Sequence, residues 1–115
     1  MKTFFYLHTC STCQRIIKEL NLAGVELKDI KTNKITLLEI NEMAKLSGSF
    51  ESLFSRRAMK YKSLGLASKT LTETDYKNFI LEEYTFLKRP VLVLDNEIVI
   101  GNSKKSVNEM QTLTK

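Results

Sequence analysis

The chain has two cysteines, Cys10 and Cys13, in the order Cys-Ser-Thr-Cys near its start. In a reducing compartment two thiols this close are redox-active or metal-binding, and the loop they would close is too short to restrain the unfolded chain much. Cys10 falls where a strand-forming stretch gives way to a helical pattern, and at such a turn free N–H groups and the helix dipole favour a negative charge. Helix N-termini and C-x-x-C settings lower a cysteine pKa from ~8.5 into the range ~3.5–7.5, so Cys10 is expected to be the attacking sulfur. Cys13, one turn further in, is expected to be the shielded thiol that closes a disulfide onto Cys10 once Cys10 carries an adduct. His8 and Thr12 are candidate neighbours of the thiolate, and a hydrogen-bonded role for His8 at the end of the strand stands beside that one. The plainer reading is that both cysteines simply pack, since free Cys is among the most buried residue types. A zinc site needs four ligands, and two Cys with a single His do not supply them, so no metal is expected.

Two arginines stand out for anion binding. Arg57 lies beside Arg56 in the basic segment 55–66 (SRRAMKYKSLGL), and Arg89 directly precedes Pro90, the only proline. A guanidinium held by rigid backbone offers a planar fork to an oxyanion or carboxylate. Taken singly, each is more often a solvated surface charge, and Pro90 is also readable as a residue that only fixes φ before a strand.

The elements that must position these residues follow from periodicity. Residues 3–8 (TFFYLH) read as a strand, and Cys13, Ile16, Ile17 and Leu20 then fall on one helical face, with Gly24 expected as a left-handed cap. Residues 25–30 (VELKDI) alternate with period two, as a half-exposed strand parallel to the first. Thr36 with Glu39 forms a capping-box pattern that opens a helix to about Leu46, with Gly48 beyond it. Residues 50–54 continue as a short helix and 55–66 as a loop or short helix. Thr72 with Asp75 repeats the capping box, and Tyr76, Phe79, Ile80, Tyr84 and Leu87 trace a buried stripe along the helix that follows. Residues 91–94 (VLVL) and 97–100 (EIVI) flank Asp95-Asn96, a hairpin signal, with Gly101 ending the hairpin and a closing helix over 103–113. VLVL is apolar on both faces and suits a central strand. The order β-α-β, helices, β-β-α predicts an α/β fold with a small mixed sheet.

Composition bounds the rest. At 115 residues the chain is expected to form one domain spanning 1–115, and 43% hydrophobic with 27% charged residues is ordinary globular usage. No apolar run approaches the ~18 residues of a membrane span, and the start is too short for a signal peptide, so a cytoplasmic protein without membrane contact is expected. Lys and Arg number 18 against 13 Asp and Glu, a net charge of +5 that favours anionic partners. That charge is mild, and no helix rich in Arg and Asn is present, so direct DNA binding is not expected.

Three segments in order resemble a known family, the thioredoxin-like arsenate reductases that work with glutaredoxin (ArsC), together with their relatives the Spx transcriptional regulators. They are Cys10-Ser-Thr-Cys13; Ser55-Arg56-Arg57 followed by Tyr61 and Leu64-Gly65-Leu66; and Leu87-Lys88-Arg89-Pro90-Val91 with a hairpin ending at Gly101. The resemblance covers nearly the whole chain. It implies a thioredoxin-like (glutaredoxin-like) fold, a four-stranded mixed sheet with a helical insert between strands 2 and 3. It implies further that Cys10 is the nucleophile, that Arg57 and Arg89 bind an oxyanion, and that Pro90 is a cis-proline facing the cysteine loop. Arsenate reductases carry another arginine just after the last strand, where this chain has Gly101-Asn102-Ser103, and they use one cysteine where this chain has two; the approach His8-Thr9 is also one residue short. Losing one charge-assisted contact costs on the order of 1.5–3 kcal/mol of anion binding.

Two functions follow as expectations. The first is a thiol-disulfide oxidoreductase: Cys10 attacks arsenate or a mixed disulfide, and Cys13, glutathione or a glutaredoxin or thioredoxin resolves the adduct. It would act as a monomer with no bound cofactor and glutathione as reductant. The alternative is an Spx-like regulator whose Cys10–Cys13 disulfide switches RNA polymerase binding, supported by the C-x-x-C and opposed by the absence of a long charged tail after Leu113.

Overall fold

A computed structural model describes residues 1–115. The chain divides into two compact units, one formed by residues 1–33 and 89–115 and the other by residues 34–88.

The first unit holds the sheet. Strands β1 (Lys2–Tyr6), β2 (Glu26–Asp29), β3 (Val91–Leu94) and β4 (Glu97–Ile100) lie in the order β2-β1-β3-β4. β1 runs parallel to β2 and antiparallel to β3, and β3 pairs antiparallel with β4, so the sheet is mixed and VLVL is internal as its two-sided apolarity requires. Register aligns Phe4 with Leu92 and Leu92 with Val99, setting three apolar side chains on one face. Against that face pack Ile16 of helix α1 (Ser11–Glu19) and Val107 and Met110 of helix α5 (Lys104–Leu113). On the opposite face Phe5, Val91 and Val93 are buried as well. The hairpin turns at Asp95, which takes the left-handed conformation (φ 53°) that Asp tolerates better than most residues.

Two expectations need correction here. Helix α1 ends at Glu19 with an extended Leu20, so Gly24 does not cap it. Gly24 (φ 78°) instead occupies a turn closed by Val25 N–H donating to Leu22 O at 3.0 Å, which serves β2. Strand β2 is shorter than 25–30, and its central Leu27 is 45% exposed, as an edge strand permits.

The second unit is helical: α2 (Leu37–Ser47), a 3-10 turn (Glu51–Leu53), α3 (Met59–Ser63), a 3-10 turn (Leu66–Ser68), α4 (Glu73–Glu82) and a 3-10 turn (Tyr84–Phe86). Both capping boxes form. Thr36 Oγ1 accepts from Glu39 N–H at 3.1 Å while Glu39 Oε1 accepts from Thr36 N–H at 2.9 Å, and Thr72 and Asp75 do the same for α4. Such a cap is worth about 1 kcal/mol. Thr36→Ala should therefore lower the denaturant midpoint measurably and Thr36→Ser should restore it; equal midpoints for all three chains would show that the box contributes nothing.

The apolar stripe after Thr72 does not continue as one helix. Glu83 is extended (φ −137°, ψ 110°), the helical phase resets, and Phe86 becomes buried where Tyr84 is only half-buried. Phe54, fully buried, is the hub of an aromatic cluster with ring centroids 4.9 Å from Tyr76, 5.0 Å from Phe86, 6.0 Å from Tyr61 and 6.3 Å from Phe79. Residues 53–55 pair with 86–88 through Ser55 N–H to Phe86 O (2.7 Å), Lys88 N–H to Leu53 O (2.8 Å) and a Phe54–Leu87 bridge. No helix is long and apolar enough to cross a membrane.

Candidate active site

The Phe5–Val91 pairing sets the residues just after β1 beside those just before β3, and Ile100 follows next in register across β4. The cysteine loop leaves β1 at this end of the sheet. Cys10 is the N-cap of α1 with extended backbone (φ −89°, ψ 112°), its N–H donating to Leu7 O at 3.0 Å and its carbonyl accepting from Gln14 N–H at 3.1 Å. Its side chain is partly exposed, whereas Cys13 is fully buried on the face of α1 that carries Ile16. Both thiols are free.

The two sulfurs are driven in opposite directions. Partial burial pushes the Cys10 thiol up, but the Cys13 amide, the Cys13 thiol, the Thr12 amide and the Arg89 guanidinium together outweigh it, and the pKa lies below the ordinary value. As a thiol, Cys10 makes no side-chain capping hydrogen bond. The thiolate is a far better acceptor of the same amides, and that difference between the two forms is what lowers a pKa. For Cys13, burial leads, followed by the hydrogen bond and the charge of Cys10; against the lowering effects of the Leu7 backbone and Arg89 they push the thiol up to about 11. At neutral pH the pair is therefore poised as one ionisable, reachable sulfur beside one protonated, covered sulfur.

Around the pair, the expected residues separate. Thr12 acts through its backbone amide. Arg89, half-buried, reaches Cys10 by its charge and enters a cis peptide bond with the buried Pro90, whose carbonyl accepts from Gly101 N–H at 2.8 Å. His8 is exposed and bonded to the first turn of α1: Gln14 Nε2 donates to His8 O at 3.0 Å and lies 3.3 Å from His8 Nδ1. That geometry accords with the hydrogen-bonded reading of His8. Arg57 belongs to the second unit, in the turn before α3, where its N–H donates to Ser55 Oγ at 3.3 Å and its guanidinium is exposed. Gln14 is not among the expected residues, because a Gln on a helical position carries no sequence signal of a bond back across the turn to residue 8. No group of three or more His, Cys, Asp and Glu side chains is placed to hold a metal ion. The hollow of about 450 Å³ between β4 and α5 is lined by Glu97, Val99, Glu109 and Leu113 among others, and none of the candidate residues lines it.

Among known proteins, residues 5–110 match the ArsC family. Solved structures agree with that match. An ArsC-family-related protein from Bacteroides fragilis is similar with 28% identity over 96% of this chain and 98% of that one (TM-score 0.78). A protein from Streptococcus mutans described as a possible arsenate reductase shares 29% identity over 90% and 92% of the two chains (TM-score 0.72). An arsenate reductase from Vibrio cholerae, at 16% identity over 95% and 98% (TM-score 0.77), speaks to the fold alone. No curated protein sequence matches. The family's span takes in the cysteine turn, the 55–66 segment and the cis-proline entry to β3, and with the four-stranded mixed sheet and its intervening helices it leads to one conclusion: this chain belongs to the ArsC family and has a thioredoxin-like fold.

Proposed function

We propose that the chain is a dithiol oxidoreductase in which Cys10 is the nucleophile and Cys13 the resolving thiol. The observation that carries this reading is the pairing of a lowered, reachable Cys10 with a raised, buried Cys13 on one helical turn. With a glutathione mixed disulfide, the Cys10 thiolate attacks one sulfur, the S–S bond breaks, and glutathione leaves as a thiolate that takes a proton from water. Cys13, deprotonated as it attacks, then displaces the remaining group from Cys10. Two glutathione thiols, or a glutaredoxin or thioredoxin, reduce the resulting Cys10–Cys13 disulfide and are themselves oxidised. Arg89 holds the anionic part of the substrate beside the sulfur, and Arg57 is proposed as a second anion ligand, with Pro90 shaping the surface next to the cysteine loop.

Arsenate is the second substrate to be tested, on the strength of the family match and of the Streptococcus mutans neighbour described as a possible arsenate reductase. There Cys10 would displace water from arsenate to form an S–As bond, and attack of a second thiol on Cys10 would leave the electron pair on arsenic, reducing As(V) to As(III). Assays with glutathione, glutaredoxin and either arsenate or a glutathione mixed disulfide separate the two. Turnover of the mixed disulfide is expected; no turnover of either substrate would end the oxidoreductase reading.

A further inference from the structure

Ser55-Arg56-Arg57 sets two guanidiniums side by side, and the second unit treats them differently. Arg56 Nη2 donates to Glu51 Oε2 at 2.7 Å and to Tyr76 Oη at 3.1 Å, and Tyr76 Oη donates in turn to the same Glu51 oxygen at 3.4 Å. The guanidinium carbon lies 5.8 Å from the centre of the Tyr76 ring. The triangle is anchored at both ends. Glu51 opens a 3-10 turn whose Phe50 and Glu51 amides donate to the two carboxylate oxygens of Glu73 at 2.6 and 3.1 Å, and Tyr76 packs against the Phe54 ring. Arg57 has its amide held by Ser55 and its guanidinium left without an intramolecular partner.

We propose that Arg56 is a positioning residue: the Glu51–Arg56–Tyr76 clamp fixes the turn at residues 55–57 and presents Arg57 as the cation of this segment that is open to an anionic substrate. The proposal rests on the reading of Arg57 as an anion ligand given above. An approaching anion at Arg56 would meet the Glu51 carboxylate already seated on the same nitrogen, whereas Arg57 has no such competitor. The clamp is exposed, with about half the side-chain surface of Arg56 and Glu51 open to water (48% and 53%), so its ion pair adds little to global stability. Its effect is local, through closure of three mutually bonded groups around one turn.

Glu51→Gln decides between the two roles because they predict opposite signs. If Arg56 itself bound the substrate, removing the carboxylate would free it and lower KM. If the clamp acts through the turn, the same change raises KM. In the full chain, with a glutathione mixed disulfide as substrate, Arg57→Ala is expected to raise KM about tenfold. Glu51→Gln and Tyr76→Phe are expected to raise it about threefold, with kcat within about twofold and the melting midpoint little moved. Arg56→Lys, which keeps one contact to Glu51, should retain more activity than Arg56→Gln. Independently of turnover, hydrogen exchange at the Ser55 and Arg57 amides should quicken about fivefold in Glu51→Gln. An unchanged or lower KM together with unchanged exchange overturns the clamp. If Arg57→Ala leaves KM alone while exchange still quickens in Glu51→Gln, the anion role of Arg57 falls and the clamp stands.

Discussion

Cys10→Ser is expected to remove turnover by roughly 10³-fold or more, because a serine hydroxyl in the same place is not ionised at neutral pH and cannot form the mixed disulfide. Cys13→Ala should act differently. It removes the internal resolving thiol, so turnover persists only where glutathione attacks the Cys10 adduct directly, and activity becomes steeply dependent on glutathione concentration. The same variant changes the nucleophile. Partial burial raises the Cys10 pKa, and the Cys13 amide, the Cys13 thiol, the Thr12 amide and Arg89 lower it. Deleting the thiol takes away one lowering contribution and moves the inflection of alkylation against pH upward; Arg89→Gln moves it the same way. In the wild-type chain the inflection belongs below the ordinary thiol range near ~8.5. Iodoacetamide rates at a series of pH values read all three chains, and a wild-type inflection at or above the ordinary range would remove the electrostatic basis of the mechanism. A Cys10→Ser protein with full turnover would do the same to the assignment of the nucleophile.

The second large effect is on stability. Phe54→Ala should cost about 3–5 kcal/mol, the range for emptying a buried aromatic site. Phe54 is fully buried and its ring meets four others, each such pair being worth ~0.5–1.5 kcal/mol beyond area. Tyr61 is the residue of α3 in contact with this cluster, and α3 buries no residue of its own. The variant should therefore also loosen the Lys60–Glu83 ion pair (2.7 Å) that ties α3 to the end of α4. Phe54→Leu, which refills much of the volume, should recover more than half of the loss in a denaturant titration. A cost below about 1 kcal/mol for Phe54→Ala would mean that the rings close over the gap and that Phe54 is not the hub.

What could be read from sequence alone was what depends on neighbours along the chain. The boxes at Thr36–Glu39 and Thr72–Asp75 and the Asp95 hairpin turn are closed by groups three residues apart or fewer, so spacing is enough to find them. Gly24 sits in a turn and not at a helix end: left-handed backbone is wanted in both places, and residue type does not distinguish the two. A helical period continued through Glu83 assigns Tyr84 the burial that belongs to Phe86, because the backbone at Glu83 is extended. At the site, the Cys10–Cys13 polarity follows from helix position, but the agents of it do not: Thr12 contributes a backbone N–H, which every residue except proline has. The bonds of Tyr76 to Arg56 and Glu51, and those of the Glu73 carboxylate to the Phe50 and Glu51 amides, join positions 20 to 25 apart, and nothing in composition marks such partners.

The first unit is assembled from two stretches of chain that the whole second unit separates. β1 finds its parallel neighbour β2 early, yet its other side waits for Val91 to pair with Phe5. During synthesis on the ribosome the helical stretch 34–88 finds its partners within itself, Glu73 for Phe50 and Lys88 for Leu53, while Phe4 and Phe5 stay uncovered on one flank until β3 follows. Closing so long an interval is entropically slow. A nascent chain stalled before residue 89 would thus carry the cysteine turn without Arg89, Pro90 or a completed sheet, and its thiols should react as those of an unfolded peptide until translation resumes.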